Sequence, residues 1–176
     1  MAGINLIRNK LTNFEVFKSG NRKLGMADVT LPNIKPKTAT LSGAGIGGEI
    51  EMPTPGQTES MELEINWRTI NEDLTEQAAM EAQDLELRGA NEQFDAGTGK
   101  LVTQSIKINV RGLPKGTGLG AFKPADHTDS KTTLEILYIK FTIDGTRKIE
   151  IDKLNYIYFI NGVDYLEGIR KALGLL

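Results

Sequence analysis

Thr133-Leu-Glu-Ile-Leu-Tyr-Ile-Lys-Phe-Thr-Ile143, Asp144-Gly145, Thr146-Arg-Lys-Ile-Glu-Ile151 is the stretch that decides the fold. Two runs rich in β-branched and aromatic residues meet across a dipeptide that tolerates positive φ at both positions, which is the signature of a two-residue β-hairpin loop. In the first run Ile136-Leu137-Tyr138-Ile139 is apolar on both faces, so that strand is expected to be covered on both sides. Upstream, Met61, Leu63, Ile65 and Trp67 alternate with Glu62, Glu64, Asn66 and Arg68. Val102, Ile106, Ile108 and Val110 are set against Thr103, Ser105, Lys107, Asn109 and Arg111 in the same way. Period two of this kind marks strands with one buried face. Phe14–Lys18 and Lys23–Leu31 read as a hairpin across Ser-Gly-Asn-Arg at 19–22, and Asp95-Ala-Gly-Thr-Gly-Lys100 turns between strands at Asp84–Phe94 and Leu101–Leu113.

Two helices interrupt the strands. Asn71 is placed to cap a helix reaching Gln83, with Glu72 and Asp73 in its first turn and Leu74, Ala78 and Ala82 or Leu85 near helical spacing. A short terminal helix is expected over Asp164–Leu173, with Leu166, Ile169 and Leu173 on one face. The order of elements predicts an α+β fold, mainly antiparallel β, built as a two-sheet sandwich or barrel with one packed helix and one short C-terminal helix. At 176 residues, with 39% hydrophobic and 25% charged side chains, the chain has the composition of one folded domain over 1–176.

Composition also removes function classes. There is no Cys and a single His, so disulfides, thiolate metal sites and cysteine nucleophiles are excluded. His127 lies among Asp126, Thr128 and Asp129 with no Ser, Cys or second His recurring beside it, and reads as a bystander. Met1–Leu11 carries Arg8 and Lys10 and no apolar run long enough for a signal core or a membrane span. No catalytic residue, cofactor or metal is expected.

Two segments do not alternate, 43–57 and 114–130, and both are read as extended loops that order on a partner. Gly43-Ala-Gly-Ile-Gly-Gly48 matches the dinucleotide-binding pattern G-x-G-x-x-G. That site needs a helix directly after the glycines, and Pro53 and Pro55 preclude one. The net charge of −2 is unevenly spread: 58–95 holds eleven acidic residues against Arg68 and Arg88, whereas 1–57 and 100–153 are basic. Either the acidic stretch is a solvated face, or acidic and basic regions meet between copies of the chain or along a cavity.

A family resemblance rests on Val29-Thr-Leu-Pro-Asn33, Leu41-Ser-Gly-Ala-Gly-Ile-Gly-Gly48, Met61-Glu-Leu-Glu-Ile-Asn-Trp67, Val110-Arg-Gly112, Ser130-Lys-Thr-Thr133 and Tyr138-Ile-Lys-Phe-Thr-Ile-Asp-Gly-Thr146. It rests above all on Ile149-Glu-Ile-Asp-Lys-Leu-Asn155 with Ile160-Asn-Gly-Val-Asp164 and the terminal Ile169-Arg-Lys171. In this order and spacing the chain resembles the major tail tube proteins of contractile-tailed bacteriophages and R-type bacteriocins over nearly its whole length. The resemblance implies hexameric rings that stack head to tail into a tube within a contractile sheath, a continuous barrel around a channel for DNA or ions, and no enzymatic activity. Expected partners are further copies of the chain, the sheath, baseplate and tail-terminator proteins, and a tape measure protein or DNA in the lumen. The expected location is a virion or bacteriocin tail assembled in the bacterial cytoplasm, without membrane insertion. Residues expected to face the lumen are Glu62, Glu64, Asn66, Arg68, Glu86, Lys107, Asn109 and Arg111; Gly43, Gly45, Ile46, Gly48 and Met52 are expected to contact the adjacent ring. A secretion-system tube protein and a small ligand-binding β-barrel are the alternatives.

Overall fold

The computed structural model describes residues 6–18, 21–25 and 28–175. In chain order it comprises β1 (Leu6–Lys18), β2 (Arg22–Lys23), β3 (Asp28–Thr30), β4 (Pro36–Leu41), β5 (Ile50–Thr58), β6 (Glu62–Trp67), α1 (Glu72–Gln77), β7 (Gln83–Asp95), β8 (Lys100–Gly118), β9 (Ser130–Ile143), β10 (Thr146–Asp152), β11 (Ile157–Ile160), β12 (Val163–Asp164) and α2 (Glu167–Ala172). The deciding hairpin forms as read: β9 and β10 pair antiparallel, and Asp144 and Gly145 turn at φ 46° and 77°. The Asp144 carboxylate accepts from the Ser105 N–H, tying this turn to β8.

The architecture differs from two packed sheets. Ten strands form one antiparallel sheet in the order β12-β11-β10-β9-β8-β7-β1-β2, with β6 branching off β9 and β3 off β6, and among the described residues its ends do not meet. One sheet can enclose a core because β8 and β9 are long enough to bend. Their pairing slips at Arg111/Gly112 and Pro114/Gly116, and the buried positions of β9 shift from Ser130, Thr132, Leu134 and Ile136 to Ile139. Irregularities of this kind add twist and turn a strand aside. A Cβ at Gly112 would stand 2.9 Å from the Glu135 carbonyl oxygen, so the bend depends on the absence of a side chain there. Beyond the bend, Leu63, Ile65 and Trp67 of β6 share one core with Leu85 and Leu87 of β7 and Ile108 and Val110 of β8.

The expected strand Lys23–Leu31 divides. β2 stays with β1, Leu24 drops into the core and donates its N–H to the Val16 carbonyl, and β3 crosses to β6. The joint at 19–20 and residues 26–27 lie outside the described residues. The helix over 71–83 is also shorter. Asn71 caps it, accepting from the Leu74 N–H, but it ends at Gln77 because Gln83 and Asp84 are drawn into pairing with Gly112 and Arg111. Tertiary pairing here overrides the helix propensity of Ala79 to Ala82. In α2, Leu166 at its start is buried, but Ile169 and Leu173 are exposed. Tyr156 is exposed, and Phe159 lies beneath the Arg147 guanidinium at 3.5 Å.

Both extended loops shrink. Ile50–Thr58 is strand β5, paired with β4 in a two-stranded ribbon separate from the large sheet, which leaves 42–49 as its tip. β8 runs on to Gly118, so the second loop is 119–129. That loop is internally bonded: Ala121 N–H donates to Thr128 O, Thr128 N–H to Arg68 O, and Ser130 Oγ to Leu119 O.

Candidate channel-lining and assembly surfaces

The alternation that buries Leu85, Leu87, Ile108 and Val110 turns Asp84, Glu86, Arg88, Lys107, Asn109 and Arg111 to the solvent face of the sheet. Register brings them together, with Asp84 opposite Arg111, Glu86 opposite Asn109 and Arg88 opposite Lys107. The face continues onto β9, where Tyr138, Lys140 and Thr142 stand opposite Arg111, Asn109 and Lys107. Four of the eight expected lining residues, Glu86, Lys107, Asn109 and Arg111, thus form one patch. Glu62, Glu64 and Asn66 lie past the bend on the solvent face of β6, opposite Glu135, Thr133 and Lys131. Arg68 falls after the end of β6, and its carbonyl receives the Thr128 N–H.

The carboxylates on this face are paired. Arg111 clasps Asp84 with two hydrogen bonds at 2.8 and 2.9 Å, Lys131 lies 2.7 Å from Glu64, and Lys115 reaches Glu62. Glu86 receives Asn109 at 2.8 Å and faces Lys107 at 3.4 Å. Partial burial pushes the Glu86 carboxyl up, but hydrogen bonds from Asn109 and Arg88 and the charge of Lys107 outweigh burial and hold it below the usual range. Glu135 behaves likewise: burial raises it, while Lys153 and Ser60 lower it further. Alternation names the carboxylates from sequence, but Lys115 and Lys131 escape it because they sit within or directly beside what reads as a loop.

Tyr138 provides a titration reporter at the centre of this face. Its phenol is pushed up to about 12, first by burial and then by its hydrogen bond to Glu150 at 2.9 Å. A folded value above the ordinary 10.0 means the contribution to stability is complete below pH 10 and is lost as pH rises toward 12. Absorbance titration near 295 nm is expected to show one tyrosine ionising about two pH units late, and Tyr138→Phe to remove that late step.

The ribbon is the second surface. Its tip holds Gly43, Gly45 and Gly48 at φ 148°, 94° and 154°, with no other atom within 4 Å of where a Cβ would stand. The glycine-rich run is therefore a tight free-standing turn, closed by Ile46 N–H to Gly43 O, with no helix behind it to form a nucleotide site. Of the five expected stacking residues, Gly43, Gly45, Ile46 and Gly48 lie in the tip and Met52 on β5. At the ribbon's base a Cβ at Gly56 would fall 2.3 Å from Leu166 Cδ1, so β5 rests directly on the start of α2. Among the described residues no group of His, Asp and Glu could hold a metal, and His127 is exposed in the 119–129 loop.

The fold of this chain is similar to that of chains in solved contractile injection systems. The chain matches a chain in the cryo-EM structure of the extracellular contractile injection system PVC sheath/tube terminator in the extended state, with a TM-score of 0.51 at 18% identity over 74% of this chain and 94% of that one. A chain of the PVC sheath-tube complex gives 0.51 at 17% identity over 73% and 87%. At such identities the likeness concerns fold alone. The family model for phage tail tube protein FII matches residues 8–174, and the chain belongs to that family. It is 30% identical to the tail tube protein of Escherichia phage P2, over 94% of this chain and 97% of the relative, and 27% identical to the major tail tube protein of Serratia phage KSP20, over 96% and 98%. The chain is a structural tail tube subunit, and its family is not a class of enzymes.

Proposed function

We propose that copies of this chain form hexameric rings that stack head to tail into the inner tube of a contractile tail, with the solvent face of β6 to β9 turned toward the channel. The observation that carries this is the pairing of a continuous polar sheet face with an open sheet edge. Among the described residues β1 has no partner on the side away from β7 until β2 meets it at Phe17 and Lys18. Edge-to-edge pairing of neighbours would extend that face around a ring and remove the free edge. The ribbon tip, from Gly43 to Gly48 with Met52, then reaches the adjacent ring. The outer surface meets the sheath, the tube ends meet baseplate and terminator proteins, and the lumen admits a tape measure protein, DNA or ions. The same tube would serve a phage or a headless bacteriocin. No helix among the described residues is long and apolar enough to cross a membrane.

Because each lining carboxylate has a cation beside it, the channel wall is charge-balanced, so DNA phosphate meets neither a repelling sheet nor a basic trap. Negative-stain electron microscopy of the purified protein is expected to show rings or tubes with an axial channel; a strictly monomeric field at high concentration refutes the reading. Glu64→Lys, which leaves Lys131 unpaired beside a second cation, is expected to shift conductance of assembled tubes toward anions. Unchanged selectivity would place Glu64 outside the channel.

A further inference from the structure

Two turns of the sheet are built alike and differ in what their side chains hold. Asp144-Gly145 joins β9 to β10, and Asn161-Gly162 joins β11 to β12. All four residues stand at positive φ, 46° and 77° in the first turn, 48° and 96° in the second, a conformation that Asn, Asp and Gly tolerate. The Asp144 carboxylate is tied down: it accepts from Gln104 Nε2 at 3.0 Å and from the Ser105 N–H at 2.9 Å, bonds that hold it below the usual carboxylate range. Asn161 is exposed, and among the described residues its carboxamide has no hydrogen-bond partner.

Gly162 leaves that carboxamide open to attack. Asn161 is the only Asn in the sequence that Gly follows; elsewhere the next residue carries a side chain that crowds the carboxamide carbon. No atom lies within 4 Å of where a Cβ at Gly162 would stand, and among the described residues the Gly162 N–H has no backbone acceptor. Nucleophile and electrophile are thus adjacent, exposed and uncommitted.

We propose that Asn161-Gly162 is a site of spontaneous covalent modification, at which the chain converts its own carboxamide to a carboxylate through a cyclic imide. Hydroxide removes the Gly162 amide proton, the nitrogen attacks Asn161 Cγ to form the N–Cγ bond, and the Cγ–Nδ2 bond breaks to release ammonia. Water then opens the ring. Opening at Cγ leaves aspartate at position 161, whereas opening at the backbone carbonyl leaves isoaspartate, with the chain running through Cβ and Cγ. Asp144 does not follow this course, because an ionised, hydrogen-bonded carboxylate has no neutral group to expel.

The conversion reaches beyond the turn. β12 is the outermost strand at its end of the sheet and is held to β11 by Ile160 opposite Val163 and Phe159 opposite Asp164. Directly after it, Tyr165 N–H donates to Tyr158 O, Asp164 clasps Arg170 at 2.6 Å, and buried Leu166 meets Gly56 of β5. Both products place a negative charge on this edge. Isoaspartate also lengthens the loop by one backbone atom, so the register of the short strand and the seat of α2 must give.

The test holds the purified full-length protein at neutral and at mildly alkaline pH and then maps its tryptic peptides. The peptide from Leu154 to Arg170 contains Asn155 as an internal control, since Tyr156 follows it and its carboxamide donates to Asp152 at 2.7 Å. The expected result is one added negative charge, located by fragmentation at 161 and not at 155, with isoaspartate detected by enzymatic methylation and a rate that rises with hydroxide concentration. Asn161→Gly keeps a residue that tolerates φ 48° and removes the carboxamide; it is expected to lose the acidic form completely with unchanged circular dichroism. A peptide still intact in the folded protein after a synthetic peptide of the same sequence has fully converted would overturn the proposal. An equal gain of charge at Asn155, or an acidic form of this peptide that persists in Asn161→Gly, would overturn it too.

Discussion

Replacing Trp67 with alanine is expected to lower the stability of the subunit by about 3–5 kcal/mol, the range for removing a large aromatic from a packed core. Trp67 is 1% exposed at the end of β6, opposite Ser130, where the branch strand closes over the core. Its indole Nε1 donates to the buried Thr132 hydroxyl at 3.0 Å, so truncation leaves a cavity and also strands a polar group. Against a total of about 5–15 kcal/mol for an ordinary domain, a loss of that size removes much of the margin. Urea unfolding followed by far-ultraviolet circular dichroism measures it, since the variant has no tryptophan fluorescence. Trp67→Phe separates the two contributions: it keeps most of the ring volume and is expected to lose about 1–2 kcal/mol through the unpaired Thr132 hydroxyl. Equal losses in both variants would mean that the hydrogen bond, and not the packing, holds β6 in place.

Gly120→Ala is the second substitution with a large expected effect. At φ +75° a Cβ at this position would stand 1.7 Å from the Thr128 carbonyl oxygen, a backbone atom that cannot rotate aside. The 119–129 loop must then open, breaking the bond from Ala121 N–H to Thr128 O and disturbing the bond from Thr128 N–H to Arg68 O. The left-handed conformation alone costs about 1–2 kcal/mol for a residue with a side chain, and the steric clash adds to it. Hydrogen exchange at Ala121 and Thr128 is expected to accelerate by more than an order of magnitude, and chymotrypsin to cut after Phe122 faster than in the parent. Unchanged exchange at both amides would show that the loop has a second conformation of equal stability. The loop presents Leu119 and Phe122, 58% and 87% exposed, on a frame held by its own hydrogen bonds.

The strands whose outer residues alternate cleanly are legible in the sequence, because alternation is the direct imprint of a half-buried sheet. β6, β7, the first half of β8, and the β9–β10 hairpin with its Asp144-Gly145 turn fall where their residues place them. What escapes the pattern is set by tertiary geometry. The ribbon strand β5 carries Pro53 and Pro55 and, among the described residues, pairs with β4 alone, so it shows neither the propensity nor the burial that marks a strand. The bend in β8 and β9 arises from a two-strand slip around Gly112 that no single-strand pattern records, and with it the folding of one sheet where the order of elements predicts two. Both helices read longer than they are for the same reason: the residues after Gln77 and before Glu167 have helical composition or spacing, but sheet pairing and turns claim them.

The uneven charge along the chain has a different outlet from the one it suggests. Glu59, Glu62, Glu64, Asp73, Glu76, Asp84 and Glu86 of the acidic middle reach Lys35, Lys115, Lys131, Arg22, Lys18, Arg111 and Lys107 of the basic flanks inside one subunit. The blocks separate in sequence because antiparallel neighbours come from distant stretches, and alternating signs across the sheet then read as alternating blocks along the chain. Exposed pairs of this kind are screened by solvent and contribute little to stability. Their larger effect is to leave few uncompensated charges on the polar face.

The unpaired edge of β1 is selective as well. Its register against β7 slips at Arg8/Lys10 and again at Leu11/Asn13, and Arg8 and Lys10 stand along it. Breaks and cations of this sort make an edge a poor template for a stray strand. Under the ring reading proposed above, a pairing strand must match both breaks in register, which selects another copy of this chain over an unrelated strand.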